Sequence, residues 1–249
     1  MNQGEPWIRS SDKNARLRLF CFPYAGGGTT EYRTWKPYFP GSVDICPIVL
    51  PGRETRLNEA PYHDMTKLVP VLADALWPLM RRTPYAFTGH SMGAWIAYEL
   101  AREMRRRGRP QPVHLFLSAR RPIDVPAPVS DLHHLPEREF VAAIQDRYNA
   151  IPKMILDNPD VLRIFLPAMR ADFTLGETFM PVTEAPVDIP ISAYTGTGDK
   201  VVARATVEQW DRHTTAEFTH RELPGGHFFL RESVDLLTHG IAGTLRRYL

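Results

Sequence analysis

Apolar positions along the chain follow two different periods. Arg16-Leu17-Arg18-Leu19-Phe20-Cys21-Phe22 alternates and then turns wholly apolar, and Val43 to Val49, Tyr85 to Thr88, Val113 to Ala119, Ile189 to Tyr194 and Glu217 to Leu223 share this short, strand-like character. Between them, Asp64 to Met80 and Ala94 to Ala101 are rich in helix formers. Strands alternating with helices predict an α/β chain with a mostly parallel central sheet flanked by helices. The strand rhythm stops across residues 122–186, where Glu137 to Asn149 and Asp160 to Gly176 read as helices and prolines recur. Inserted helices at this place are expected to form a lid over a site at the sheet edge. One domain, residues 1–249 with the lid at about 122–186, is the expected organisation.

The strand Tyr85 to Thr88 runs into Gly89-His90-Ser91-Met92-Gly93 and then into a helical stretch. Strand, G-x-S-x-G, helix is the setting of a nucleophile elbow, in which a tight turn presents the serine at the mouth of the sheet. A serine needs a base and an orienting acid. His227 follows the last strand in the loop Pro224-Gly225-Gly226, and Asp199 follows the strand Ile189 to Tyr194 in Thr195-Gly196-Thr197-Gly198. The order Ser91, Asp199, His227 is that of the α/β-hydrolase triad. Asp124, after the strand Val113 to Ala119, is the rival acid, and Asp199 is preferred on loop character and order. His90 sits inside the elbow and is expected to point away from the nucleophile. The oxyanion needs at least two N–H donors. Met92 supplies the first, and the loop Pro23-Tyr24-Ala25-Gly26-Gly27-Gly28 after the first strand supplies the second from Ala25, with Tyr24 shaping the pocket.

Composition narrows the classes. The formal net charge of +2 is too small to imply a nucleic-acid partner, and no apolar run is long enough to cross a membrane. Met1 to Asn14 has no apolar signal region, so a cytoplasmic protein is expected, with Cys21 and Cys46 as buried thiols. No metal-ligand spacing is present, and His133-His134 has no evident partner cluster. The cluster Arg102, Arg105, Arg106, Arg107 and Arg109 ends a helix and either faces water or docks an acidic partner, for which Arg120, Arg121, Arg163 and Arg170 are equal candidates.

Phe22-Pro23-Tyr24-Ala25-Gly26-Gly27, Leu50-Pro51-Gly52-Arg53-Glu54, the elbow, Gly196-Thr197-Gly198-Asp199 and Gly225-Gly226-His227-Phe228-Phe229-Leu230 together resemble the external, type II thioesterases. Those enzymes accompany polyketide synthases and nonribosomal peptide synthetases. The resemblance runs from about Leu19 to the C-terminus. It implies an α/β-hydrolase fold and the triad Ser91, Asp199, His227 with oxyanion donors Ala25 and Met92. It also implies hydrolysis of aberrant or stalled acyl groups from acyl or peptidyl carrier proteins. No cofactor is expected, because the phosphopantetheine arm belongs to the carrier; a monomer is expected. Ala119 departs from the glycine that many members carry. Within the lid, Phe140, Ile144, Met154, Phe165, Met169 and Phe173 are expected to line the acyl chamber, since methionines and flat aromatics adapt to varied shapes. A carboxylesterase or lipase acting on free esters, or a carrier-binding protein without turnover, would share these features.

Overall fold

The apolar runs become six parallel strands in the computed structural model, which describes residues 7–8, 11–125 and 131–249. Residues 126–130 of the expected insert, and 1–6 and 9–10 at the start, lie outside them. The strands are β1 (Leu17–Phe22), β2 (Val43–Pro47), β3 (Tyr85–His90), β4 (Leu115–Ser118), β5 (Ile191–Gly196) and β6 (Phe218–Leu223), ordered β2-β1-β3-β4-β5-β6. β1, β3, β4 and β5 are buried at every residue, as a parallel sheet covered on both faces requires. The edge strand β6 is only partly covered, with Leu223 its one buried residue. Expected strand ends shift by a residue or two: β2, β4 and β6 are shorter than expected, whereas β3 and β5 run two residues further, to His90 and Gly196.

From β1 the chain steps outward to β2 and then returns past β1 to β3. The crevice at the carboxyl ends of β1 and β3 is therefore a topological switch point, where sheets of this kind hold their ligands. The glycine loop follows β1 and the serine turn follows β3, so topology alone brings both to that crevice.

The longer helices are α1 (Met65–Met80), α2 (Met92–Arg106), α3 (Glu137–Tyr148), α4 (Pro159–Thr178) and α5 (Val234–Leu245). Asp64 caps α1 by accepting the Thr66 N–H at 2.9 Å. α1 and α2 close one face of the sheet and α5 the other. The insert holds α3, the single turn Lys153–Leu156 and α4, and it has its own small core of Phe140, Ile144, Ile151, Leu166 and Met169. Burying Phe140 and Ile144 completely contributes roughly 2–3 kcal/mol each to that unit. Arg170 lies 4.2 Å over the Phe140 ring and donates to the carbonyls of His133 and Leu135 at 2.7 and 2.8 Å, so its charge is spent inside the lid.

Cys21 and Cys46 are buried free thiols, and burial pushes both above their ordinary range. The arginine cluster at the end of α2 is taken up by ion pairs. Arg102, Arg105 and Arg106 meet Glu184, while Arg107 and Arg109 meet Asp74. Among the described residues no helix is long and apolar enough to cross a membrane.

Candidate active site

Ser91 occupies the turn between β3 and α2 with φ 53° and ψ −115°, a conformation that costs a non-glycine residue roughly 1–3 kcal/mol. The flanking glycines make the turn possible. A Cβ at Gly89 would stand 2.1 Å from the Gly93 carbonyl oxygen, and one at Gly93 would stand 2.1 Å from that of Phe22. The Ser91 N–H donates to the Ser118 carbonyl at 2.8 Å, which fixes the turn against β4.

Three side chains meet there. His227 Nε2 lies 3.2 Å from Ser91 Oγ, and His227 Nδ1 lies 2.9 Å from Asp199 Oδ2. The other Asp199 oxygen accepts the amides of Val201 and Val202 at 2.8 and 3.1 Å. Burial pushes the Asp199 carboxyl up, but His227 and the two amides outweigh it and hold the group below its usual range. The acid is thus ionised and aimed at the base. Asp124, the rival, has a largely exposed side chain and pairs with His213 at 3.0 Å.

His90 makes no hydrogen bond to Ser91 but meets the base instead. It lies beneath His227, with ring centroids 5.6 Å apart, and its Nε2 is 2.7 Å from the His227 carbonyl oxygen. Burial, then the nearby His227, pulls the His90 pKa down to about 3, so the ring is neutral and donates its Nε2–H to that carbonyl. The elbow residue therefore braces the backbone of the base, a role that its sequence position did not suggest.

A cavity of about 410 Å³ opens over these groups, lined by Ala25, Ser91, Met92, Tyr148, Phe173 and His227 among others. Among the described residues neither the Ala25 N–H nor the Met92 N–H donates to a protein acceptor, which suits both to an incoming oxyanion. The lid supplies Tyr148, whose ring packs edge-on against His227 at 5.5 Å. Tyr24 lines the cavity too, its hydroxyl donating to Glu31 at 2.7 Å and accepting from Arg231.

The glycine loop is tied down by two motif residues. Arg53 forms a buried two-pronged pair with Asp172 of α4 at 2.7 and 2.8 Å and also donates to the Gly27 carbonyl at 2.9 Å. Asp172 in turn accepts the Gly26 N–H at 2.7 Å. Glu54 accepts the Thr29 N–H and hydroxyl at 2.6 and 2.8 Å. Arg53 was visible within Leu50-Pro51-Gly52-Arg53-Glu54, whereas nothing around Asp172 announced a partner 119 residues away.

The lid expectations divide. Phe173 lines the cavity. Met154, Phe165 and Met169 line an adjoining groove of about 520 Å³ that shares Tyr24, Ala25 and Ala150 with it, and Met154 is 80% exposed. Phe140 and Ile144 line neither. One helical turn apart on α3, they face α4, and Phe140 packs edge-on against Phe173 at 5.6 Å. The His133-His134 pair does gain a neighbour, since ligand atoms of Asp131, His133 and His134 lie within 4.8 Å of one another. His133 Nδ1 is engaged with Glu177 at 2.6 Å.

Comparison with known proteins bears on this geometry. The thioesterase domain family model matches residues 17–247. Gramicidin S biosynthesis protein GrsT of Aneurinibacillus migulanus is 38% identical over 94% of this chain and 91% of its own. Thioesterase PikA5 of Streptomyces venezuelae is 32% identical over 91% of this chain and 80% of its own. The solved structure of the RedJ thioesterase from the prodiginine biosynthetic pathway of Streptomyces coelicolor superposes with a TM-score of 0.84. It is 37% identical and covers 92% of this chain and 85% of its own.

Proposed function

The chain belongs to the thioesterase domain family, and on that premise we propose that it hydrolyses acyl groups from the phosphopantetheine arm of acyl or peptidyl carrier proteins, removing aberrant or stalled units in polyketide or nonribosomal peptide assembly. The observation that carries this reading is the hydrogen-bonded series Ser91, His227, Asp199 at the floor of a lidded cavity. His227 Nε2 takes the Ser91 proton as Oγ attacks the thioester carbonyl. Asp199 keeps the proton of Nδ1 on the ring's far side and stabilises the imidazolium. The Ala25 and Met92 amides receive the oxyanion. Collapse of the tetrahedral intermediate expels the carrier thiol, which leaves with the proton from His227. A water activated by the same nitrogen then attacks the acyl-serine, releasing the acid and restoring the hydroxyl.

Relatives named for gramicidin S and prodiginine biosynthesis support the biosynthetic setting. The carrier as acyl bearer rests on the motif resemblance. The test compares kcat/KM for one acyl group on a carrier protein, on free pantetheine and on an alcohol. The carrier thioester should lead, because docking adds binding energy that a small thiol lacks. Equal values for carrier and pantetheine would remove the carrier, and a lead for the oxygen ester would make the chain an esterase.

A further inference from the structure

The cavity above Ser91 contains a cation that the mechanism does not use. Arg120 follows β4 directly, swung inward by Ala119 at φ 53°, a left-handed conformation that favours glycine. Its backbone is pinned, because its carbonyl accepts the Trp210 indole N–H at 2.8 Å and that of Arg121 accepts the Trp95 indole N–H at 2.8 Å. The Arg120 guanidinium stacks 3.5 Å over the Trp95 ring and lines the cavity that holds Ser91 and His227.

The charge makes no ion pair among the described residues. Among the described residues no carboxylate comes within 4.0 Å of the Arg120 nitrogens, and its Nε is buried without a hydrogen-bond partner. Of the three acids on the cavity wall, Asp131 is exposed beside His133 and His134, and the other two are held by other groups. Asp172 is held by Arg53 and the Gly26 N–H, and Glu177 by the amides of Leu132 and His133 and by the His133 ring. The neighbours Arg121 and Arg147 add positive charge to the same wall. Burial first, and Arg121 next, pull the Arg120 pKa down to about 9, so the group is still charged at neutral pH but poorly compensated. A partly buried cation without an ion pair is poorly compensated, and an anion bound beside it would offset that cost.

We infer that Arg120 is a specificity-determining residue that receives a carboxylate on the acyl group, so that half-thioesters of dicarboxylic acids are preferred to uncharged acyl groups of the same shape. The guanidinium fork matches a carboxylate with two parallel N–H···O bonds, and stacking on Trp95 holds the fork in one orientation before substrate arrives. A hydrocarbon acyl group would leave those donors unsatisfied. The inference rests on the thioesterase reading.

The experiment uses the full chain and three pairs of pantetheine thioesters: malonyl with 3-methylbutanoyl, succinyl with 4-methylpentanoyl, and glutaryl with 5-methylhexanoyl. Within each pair an isopropyl group replaces the carboxylate. In at least one pair the wild type should favour the carboxyacyl member by roughly tenfold or more in kcat/KM, the size of one charge-assisted pair of hydrogen bonds. Arg120→Met should bring that ratio toward one, and Arg120→Lys should keep part of it. A wild-type ratio at or below one in all three pairs overturns the proposal. So does an Arg120→Met variant that slows both members equally, which would make Arg120 a prop for Trp95. The same pairs on phosphopantetheine separate the other source of anion. If Arg120→Met instead removes a preference for the phosphorylated arm, whatever the acyl group, the cation serves the arm and the acyl assignment fails. Should Arg120→Met not fold, Arg120→Lys and the wild-type ratios still decide. Failure of the thioesterase reading is separately visible, as absent hydrolysis of all six compounds.

Discussion

Replacing Asp172 by asparagine should damage turnover more than its distance from the chemistry suggests. Asp172 and Arg53 have side chains only 2% and 10% exposed and share hydrogen bonds of 2.7 and 2.8 Å. Removing one member of a buried pair leaves the other charge uncompensated, at about 3–5 kcal/mol. The amide of asparagine keeps the shape and one acceptor, so a loss of about 3 kcal/mol is expected in urea unfolding. Asp172 also fixes the Gly26 N–H at 2.7 Å, and Gly26 follows Ala25, the second oxyanion donor, directly. Loss of such a donor costs roughly 10²–10³ in kcat, so a displaced one should cost roughly 10–100-fold, with KM moving less. Stability and positioning come apart in the double variant Arg53→Met/Asp172→Leu. An apolar pair should recover most of the stability, to within about 1 kcal/mol of wild type, because no charge is left unpaired. It should not recover kcat, because Gly26 has lost its acceptor. The urea midpoint and steady-state kinetics of the three proteins are the assay. An Asp172→Asn enzyme with kcat within about twofold of wild type, or a double variant that regains kcat with its stability, would refute the tie between lid and oxyanion loop.

Other outcomes follow from the same geometry. Ser91→Ala should fold normally and lose roughly four orders of magnitude in turnover, read by kinetics beside a thermal melt. Asp199→Asn should cost a similar amount, since its amide favours the wrong His227 tautomer, whereas Asp124→Asn, remote at His213, should stay near wild type. His90 makes stability pH-dependent. Folded His90 titrates near 3 while an unfolded histidine titrates at about 6.5, so the unfolded chain takes the proton first as pH falls. Stability present above about pH 6.5 should then fall by ~1.4 kcal/mol per pH unit from this group, and His90→Gln should flatten the slope of urea midpoints measured between pH 6.5 and 4.5.

What the sequence made legible was local. The strand runs and the elbow are written in short-range pattern and turn chemistry, so their types and order emerge with only their ends misjudged. Asp199 and His227 follow, because each stands in a glycine-bearing loop at a strand end and the topology carries both to one edge. The tie between Arg53 and Asp172 spans 119 residues and joins a loop to a lid helix, so no periodicity marks it. Phe140 and Ile144 have the apolar spacing of a helix face, but spacing does not say whether that face meets a cavity or another helix. Here α4 covers it. The contact of His90 with the base was not legible, because it depends on the His227 loop crossing where the elbow's inward-pointing neighbour lies. The proximity of Asp131 to His133 and His134 likewise depends on a turn that composition does not reveal.

The most direct measurement of the central claim is a rapid-quench single turnover with an acyl-carrier thioester, followed by peptide mass mapping. An acyl mass on Ser91 should appear as the carrier thiol is released and decay as the free acid accumulates. Full release of acid with no acyl group ever on Ser91, or with an unchanged time course in Ser91→Ala, would contradict it.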